Sequence, residues 1–131
     1  MRPDWDTYFS RIAHVVATRA DCTRRQVGCV IVQDNRIVAT GYNGAPSGDP
    51  HCASDGACPR GRFTHDEVPS GADYSGVPCV AVHAEENAVR YARESLDGAI
   101  VYVTHRPCAS CSRLLRDVRV REVVVVRESE L

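Results

Sequence analysis

No stretch of this sequence approaches the run of about 18 apolar residues that a membrane-spanning helix needs, so a transmembrane helix is excluded as its organising element. The opening residues, Met1-Arg2-Pro3-Asp4-Trp5, lack the apolar core of a secretory signal, and the expected location is the cytoplasm. An excess of charge is missing as well. Sixteen basic side chains against 17 acidic ones leave a net charge of −1, which argues against a broad nucleic-acid surface and leaves room only for a local basic pocket. There is no internal repeat and no low-complexity tract. What is present is an ordinary globular composition. The 131 residues, 44% apolar and 25% charged, suit one domain over 1–131 with one core. Cysteine is over-supplied: seven thiols, an odd number, without a secretory signal point to metal ligands rather than to disulfides.

Two short motifs give those thiols a purpose. His83-Ala84-Glu85 places an imidazole two residues from a carboxylate, and Pro107-Cys108-Ala109-Ser110-Cys111 places two thiols three residues apart. If each motif opens a helix, His83, Cys108 and Cys111 converge on one metal ion. Three protein ligands with the fourth position left to water is the pattern of a catalytic zinc, whereas a structural zinc is closed by four. Glu85 then stands beside that water as a proton carrier. The combination H-x-E…P-C-x-x-C is the signature of zinc deaminases. A lone C-x-x-C is weak evidence, because redox motifs and structural zinc sites share it.

The remaining chain supplies a frame. Trp5, Tyr8, Phe9, Ile12, Ala13 and Val16 recur at helical spacing and form the expected core face of a first helix, with Asp4 as its N-cap and His14 outside the stripe. Val27–Val32 and Arg36–Tyr42 read as two strands joined by a tight turn at Asp34-Asn35, with Cys29 buried in the first. Between helix and strand, Arg24 and Arg25 offer guanidinium forks suited to a phosphate. Asn43, in Gly41-Tyr42-Asn43-Gly44, closes the second strand at the mouth of the expected pocket, where its amide can meet a sugar hydroxyl or a base edge. Residues 45–82 form a long irregular insertion holding five of the seven prolines, together with Cys52, Cys58, Cys79, His51 and His65. Such thiol density points to a second zinc built from Cys22, Cys52 and Cys79, with Cys58, His51 and His65 competing for the remaining position. A second helix starts near His83, packs through Ala84, Ala88, Tyr91 and Ala92, and ends near Glu94. A strand follows over Ala99–Thr104. A third helix opens with Pro107 at its first position, its positive end favouring thiolates at Cys108 and Cys111. The apolar run Val120–Val126 reads as a strand buried on both faces.

These residues resemble the deoxycytidylate deaminase branch of the zinc-dependent cytidine deaminase superfamily. The resemblance runs from Trp5 to about Val126. It rests on Cys22-Thr23-Arg24-Arg25-Gln26-Val27-Gly28, Gly41-Tyr42-Asn43-Gly44, His51-Cys52, His83-Ala84-Glu85-Glu86-Asn87-Ala88 and Tyr102-Val103-Thr104 leading into Pro107–Cys111. It implies a three-layer α/β/α sandwich around a mixed sheet, and a homo-oligomer, hexamer or dimer. It also implies a second zinc in some relatives, through cysteines matching Cys22 and Cys52, and a deoxynucleoside triphosphate effector acting near Gly41–Gly44. Relatives usually continue past the last strand with another helix and strand. The C-terminal part is shorter here, and an open or partner-covered sheet edge is expected.

The implied reaction is hydrolytic deamination of a cytidine monophosphate, dCMP or a ring-modified form. Glu85 relays the proton, the backbone around Ala84 holds the base, Asn43 the sugar, and Arg24 or Arg25 the 5′-phosphate. Three rivals remain. A deaminase of transfer-RNA adenosine or single-stranded DNA calls for a basic channel. A deaminase of free nucleosides or nucleoside antibiotics has no need of the arginine pair. A zinc module without activity has no use for Glu85.

Overall fold

Apolar residues alternate along the central strands, and that alternation builds two cores on one sheet. The computed structural model describes every residue except 71, 73, 75 and 78, which lie in the insertion read from the sequence at 45–82. Four strands, β1 (Gly28–Gln33), β2 (Arg36–Tyr42), β3 (Ile100–Val103) and β4 (Glu122–Val125), pair in the order β2-β1-β3-β4. β1 is antiparallel to β2 and β3, and β3 is parallel to β4, so the sheet is mixed. Cys29 and Ile31 of β1 and Val101 and Val103 of β3 face one way, with Ala84, Ala88 and Leu115 of α2 (Ala84–Tyr91) and α3 (Ala109–Asp117). Val30, Val32 and Tyr102 face the other way, against Phe9 and Ala13 of α1 (Trp5–Ala17). The result is the expected α/β/α sandwich.

Local chemistry explains several elements. Asp4 caps α1, its Oδ1 accepting the Thr7 amide at 2.7 Å. Asp34 and Asn35 both adopt positive φ, 51° and 59°, as the tight hairpin between β1 and β2 requires, and short polar side chains tolerate it best. The Tyr102 hydroxyl donates to Asp6 Oδ1 at 2.7 Å, tying the first turn of α1 to the sheet.

The sequence reading needs correction at several points. Trp5 and Tyr8 are exposed, not core; Phe9, Ser10, Ala13 and Ala17 make the buried face. His14 is half-buried, its Nε2 2.8 Å from the carbonyl oxygen of Val126. α2 stops at Tyr91, which is exposed. Pro107 lies one residue before the cap of α3, and Cys108 is that cap. β4 is shorter than the apolar run suggested. It is an edge strand whose Val123 and Val125 are exposed, because α3 covers β3 and leaves its neighbour bare. Among the described residues no helix is long and apolar enough to cross a membrane.

Candidate active site

Every motif loop leaves the sheet at one end. Gly28 at the start of β1 pairs with Tyr42, and Cys29 pairs with Val103, so the segments after β2 and β3 emerge beside the segment before β1. Two side chains extend the ladder where the backbone stops. Asn43 Oδ1 accepts the Val27 amide at 2.8 Å while Nδ2 donates to the Arg25 carbonyl at 2.8 Å. Thr104 Oγ1 accepts the Gly28 amide at 3.1 Å. Asn43 therefore lines the cavity, as the sequence suggested, but much of its bonding capacity holds residues 25–27 in place.

α2 and α3 start over this same end, with His83 and Cys108 as their N-caps. Both caps have extended backbone, which turns their side chains away from the helix and toward each other. His83 Nδ1 lies 3.3 Å from Cys111 Sγ and 3.5 Å from Cys108 Sγ. Among the described residues these three are the group whose ligand atoms all fall within 4.8 Å of one another. One imidazole nitrogen and two thiols in a tight triangle form a donor set that fits Zn2+ and leaves a fourth direction open. Glu85, one helical step past the cap, is buried to 4% exposure beside Cys111.

The electrostatics of the triangle are those of a site built for a cation. Burial pushes the Cys108 thiol up, but the Ser110 hydroxyl, the amide and thiol of Cys111 and the charge of His83 outweigh it and bring it down to about 7. Burial and the nearby charge of Glu85 push Cys111 up to about 12. The two thiols are thus pushed in opposite directions, Cys108 toward the thiolate and Cys111 away from it; a divalent cation is what makes both ionise together. Burial also raises Glu85 above the ordinary carboxylate range, the direction that suits a group both taking and giving a proton near neutrality.

Two corners of the triangle, His83 and Cys108, line a cavity of about 290 Å³, with Cys111 buried behind them. His83, Ala84 and Glu85 line one part, Asn43 and Arg25 another, and the insertion supplies Arg60 and Tyr74. Arg24 also reaches the wall, but its guanidinium is occupied: it donates to the carbonyls of Phe63 and Thr64 at 3.1 and 3.3 Å and to that of Val68, and meets His65 Nδ1 at 3.4 Å. It straps the insertion to the start of β1. Arg25 is exposed, and among the described residues its guanidinium makes no hydrogen bond or ion pair. Six cavity-lining residues escaped the sequence reading, Ser70, Ala81, Arg60, Tyr74, His105 and Arg106. For the last two, adjacency to Pro107-Cys108 is a usable signal. For Arg60 and Tyr74 the sequence carries none.

The thiols of the insertion gather next to this wall. Cys52 and Cys58 are buried, while Cys22 and Cys79 are half-buried and line the cavity. Burial pushes Cys52 up to about 12, and the neighbouring Cys58, Cys79 and Cys22 add to the rise. Cys58 moves the other way: burial alone would raise it, but amides of Val80, Gly61 and Arg60 and a hydrogen bond with Cys79 lower it. His51 is turned to Asp55, its Nδ1 3.7 Å from Oδ2, and His65 to Arg24, its Nε2 3.1 Å from the carbonyl. Of the three competitors for a fourth position, Cys58 is the one that acts on Cys52 together with Cys79 and Cys22, though these sulfurs are not gathered as tightly as the His83–Cys108–Cys111 triangle.

Comparison with known proteins gives a consistent answer. The profile of the family described as the cytidine and deoxycytidylate deaminase zinc-binding region matches residues 3–127. A deoxycytidylate deaminase of Mycobacterium phage D29 is 50% identical over 131 residues, covering 98% of both chains. The deoxycytidylate deaminase of Schizosaccharomyces pombe is 42% identical over 125 residues, covering 94% of this chain and 37% of that protein. Among solved structures, the dCMP deaminase of cyanophage S-TIM5 in complex with dCMP and dUMP superposes with a TM-score of 0.69 at 28% identity, covering 94% of this chain and 81% of that one.

Proposed function

Because the chain belongs to the cytidine and deoxycytidylate deaminase zinc-binding family, we infer that it hydrolyses dCMP to dUMP and ammonia. The observation that carries the reading is the His83–Cys108–Cys111 triangle with Glu85 buried against it beside a cavity lined by arginines. Zinc held by the triangle would supply a Lewis acid that brings the pKa of its water to about 7. Glu85 accepts a proton from the attacking water and gives it to the ring nitrogen, then takes the second proton from the hydroxyl added to the ring and gives it to the departing amine. The Ala84 backbone faces the base, and Asn43 sits where the sugar enters. Water attacks the ring carbon that carries the amine, and loss of ammonia leaves uracil.

The test is ammonia release from dCMP, deoxycytidine and a cytosine-containing oligonucleotide, with Glu85→Gln as control. That variant should keep its zinc and lose about 10²–10⁴-fold in turnover. Near-normal turnover in a zinc-loaded Glu85→Gln protein would remove Glu85 from the mechanism, and release from the oligonucleotide alone would replace the substrate.

Further parts of the proposal rest on separate features. Cys22, Cys52, Cys58 and Cys79 would hold a second, closed zinc, so the protein should purify with about two zinc ions per chain; one zinc, with Cys22 and the three insertion thiols freely titratable, would overturn this. Residues 1–131 act as one domain, since both cores share one sheet. The open β4 edge and the exposed Trp5, Tyr8, Val123 and Val125 suit a homo-oligomer. A cytoplasmic location and a deoxynucleoside triphosphate effector near Gly41–Gly44, the latter drawn from the resemblance, complete the reading.

A further inference from the structure

We propose that Arg60, braced on Tyr74, is the residue that makes the cavity select a 5′-monophosphate, with Arg25 as a second cation and Arg24 confined to positioning. The proposal deepens the deaminase reading and rests on it for the identity of the substrate.

A nucleotide differs from its nucleoside by close to two negative charges, so selection requires cations where those charges lie. Among the described residues four arginines line the cavity, Arg24, Arg25, Arg60 and Arg106, with one carboxylate, Glu85, at the chemical end. They are not equivalent. Arg24 spends its donors on the insertion. Arg25 and Arg106 are exposed, so water and salt screen their attraction. Arg60 is half-buried. Its Nε donates to the Val77 carbonyl at 3.0 Å, and its guanidinium carbon lies 3.7 Å from the centre of the Tyr74 ring. Tyr74 is itself tethered, its hydroxyl donating to the Pro69 carbonyl at 3.2 Å. The bond at Nε and the stacked face fix the plane of the fork before any ligand arrives. Its two terminal amino groups are the pair that grips two phosphate oxygens side by side. A cation held in advance loses little side-chain entropy on binding, and partial burial strengthens each charged hydrogen bond.

The position of Arg60 is secured from below. Thr23 Oγ1 donates to the Gly61 carbonyl at 2.7 Å, joining the segment of Arg60 to that of Arg24 and Arg25. The irregular insertion thus holds the anion-recognising group, while the helices hold the zinc ligands.

The experiment compares kcat/KM for dCMP and deoxycytidine in zinc-loaded full-length protein. Arg60→Gln should lower the ratio of the two about ten- to hundredfold, the effect of removing one charged hydrogen-bonding partner, and mainly through KM. Arg60→Lys keeps the charge but loses the fork and should recover part of it. Tyr74→Ala should fall between wild type and Arg60→Gln, and Arg24→Gln, which loosens the insertion but leaves the Arg60 fork in place, should lower the ratio less than Arg60→Gln does. A ratio changed less than threefold in Arg60→Gln, or lowered more by Arg24→Gln than by Arg60→Gln, overturns the proposal. Calorimetric affinities for dUMP against deoxyuridine give the same ratio without turnover. If the wild type releases no ammonia from either substrate, the deaminase reading fails, and the calorimetric ratio still decides Arg60 by the same criterion. Should Arg60→Gln fail to fold, the Arg60→Lys and Tyr74→Ala proteins decide it.

Discussion

Replacing Gly41 with alanine should disable the enzyme from behind. A Cβ at position 41 would stand 2.2 Å from the carbonyl oxygen of Ala84 and 2.5 Å from the amide nitrogen of Ala88. Those two atoms close the first turn of α2, and the helix backbone cannot give way as a flexible side chain would. Cβ contacts under 3.0 Å are essentially unknown, so α2 must retreat from β2 by about 0.8 Å at the least. Ala84 lies between His83 and Glu85, and both travel with it. Overpacking of this kind costs about 1–3 kcal/mol, which in a chain of this size lowers the melting temperature by roughly 4–12 °C. A misplacement approaching 1 Å at a reacting group costs on the order of 10²-fold in rate. The assay is single-turnover ammonia release from dCMP, with zinc content and melting temperature measured on the same preparation. We expect Gly41→Ala to lose about 10²-fold in kcat and to melt lower. A variant with unchanged melting temperature and kcat within twofold of wild type would refute the close approach of α2 to β2 and the reasoning built on it.

Two further outcomes follow from the electrostatics and the strap. Metal affinity should depend on pH more steeply below 7 than above it: Cys111, raised to about 12, must always yield its proton to zinc, whereas Cys108, lowered to about 7, adds a proton to displace only below that value. Competition with a colorimetric chelator between pH 6 and 8.5 reads the slope, and a slope constant across pH 7 would contradict this order. Arg24→Ala frees the carbonyls of Phe63, Thr64 and Val68, so limited proteolysis should cut the insertion within 60–70 at least several-fold faster than in wild type; equal cutting rates would show that the strap carries no load.

The parts of the protein that were legible in the sequence are those whose cause is local. His83 and Cys108 sit at helix starts, where spacing along the chain fixes spacing in space, so the zinc triangle could be read directly. Asp34-Asn35 names its own turn. The failures are tertiary. Helical period places Trp5 and Tyr8 on the stripe with Phe9, but the sheet beneath is too narrow to cover all three, and the first two stay in water. The run Val120–Val126 cannot say that it lies at an edge. Arg24 and Arg25 are indistinguishable in a string of letters; only the path of the insertion, some forty residues later, occupies one and leaves the other open. Arg60 and Tyr74 lie in a stretch without periodicity, and their contact depends on where Thr23 and the thiols hold that stretch. His51 and His65 competed with Cys58 in the string of letters, and only the fold shows them turned to Asp55 and Arg24.

The two walls of the cavity differ in how firmly they are built. The zinc triangle and Glu85 stand on helices packed against a four-stranded sheet, whereas the insertion is held by the Arg24 strap, the Thr23–Gly61 bond and the thiol cluster, with one three-residue turn, Arg60–Arg62, as its regular structure. Segments with few buried apolar contacts open at lower free energy than the core does. Mild heat or denaturant would therefore loosen substrate recognition while the hydrolytic machinery still stands, and the enzyme would grow indiscriminate before it grew inactive.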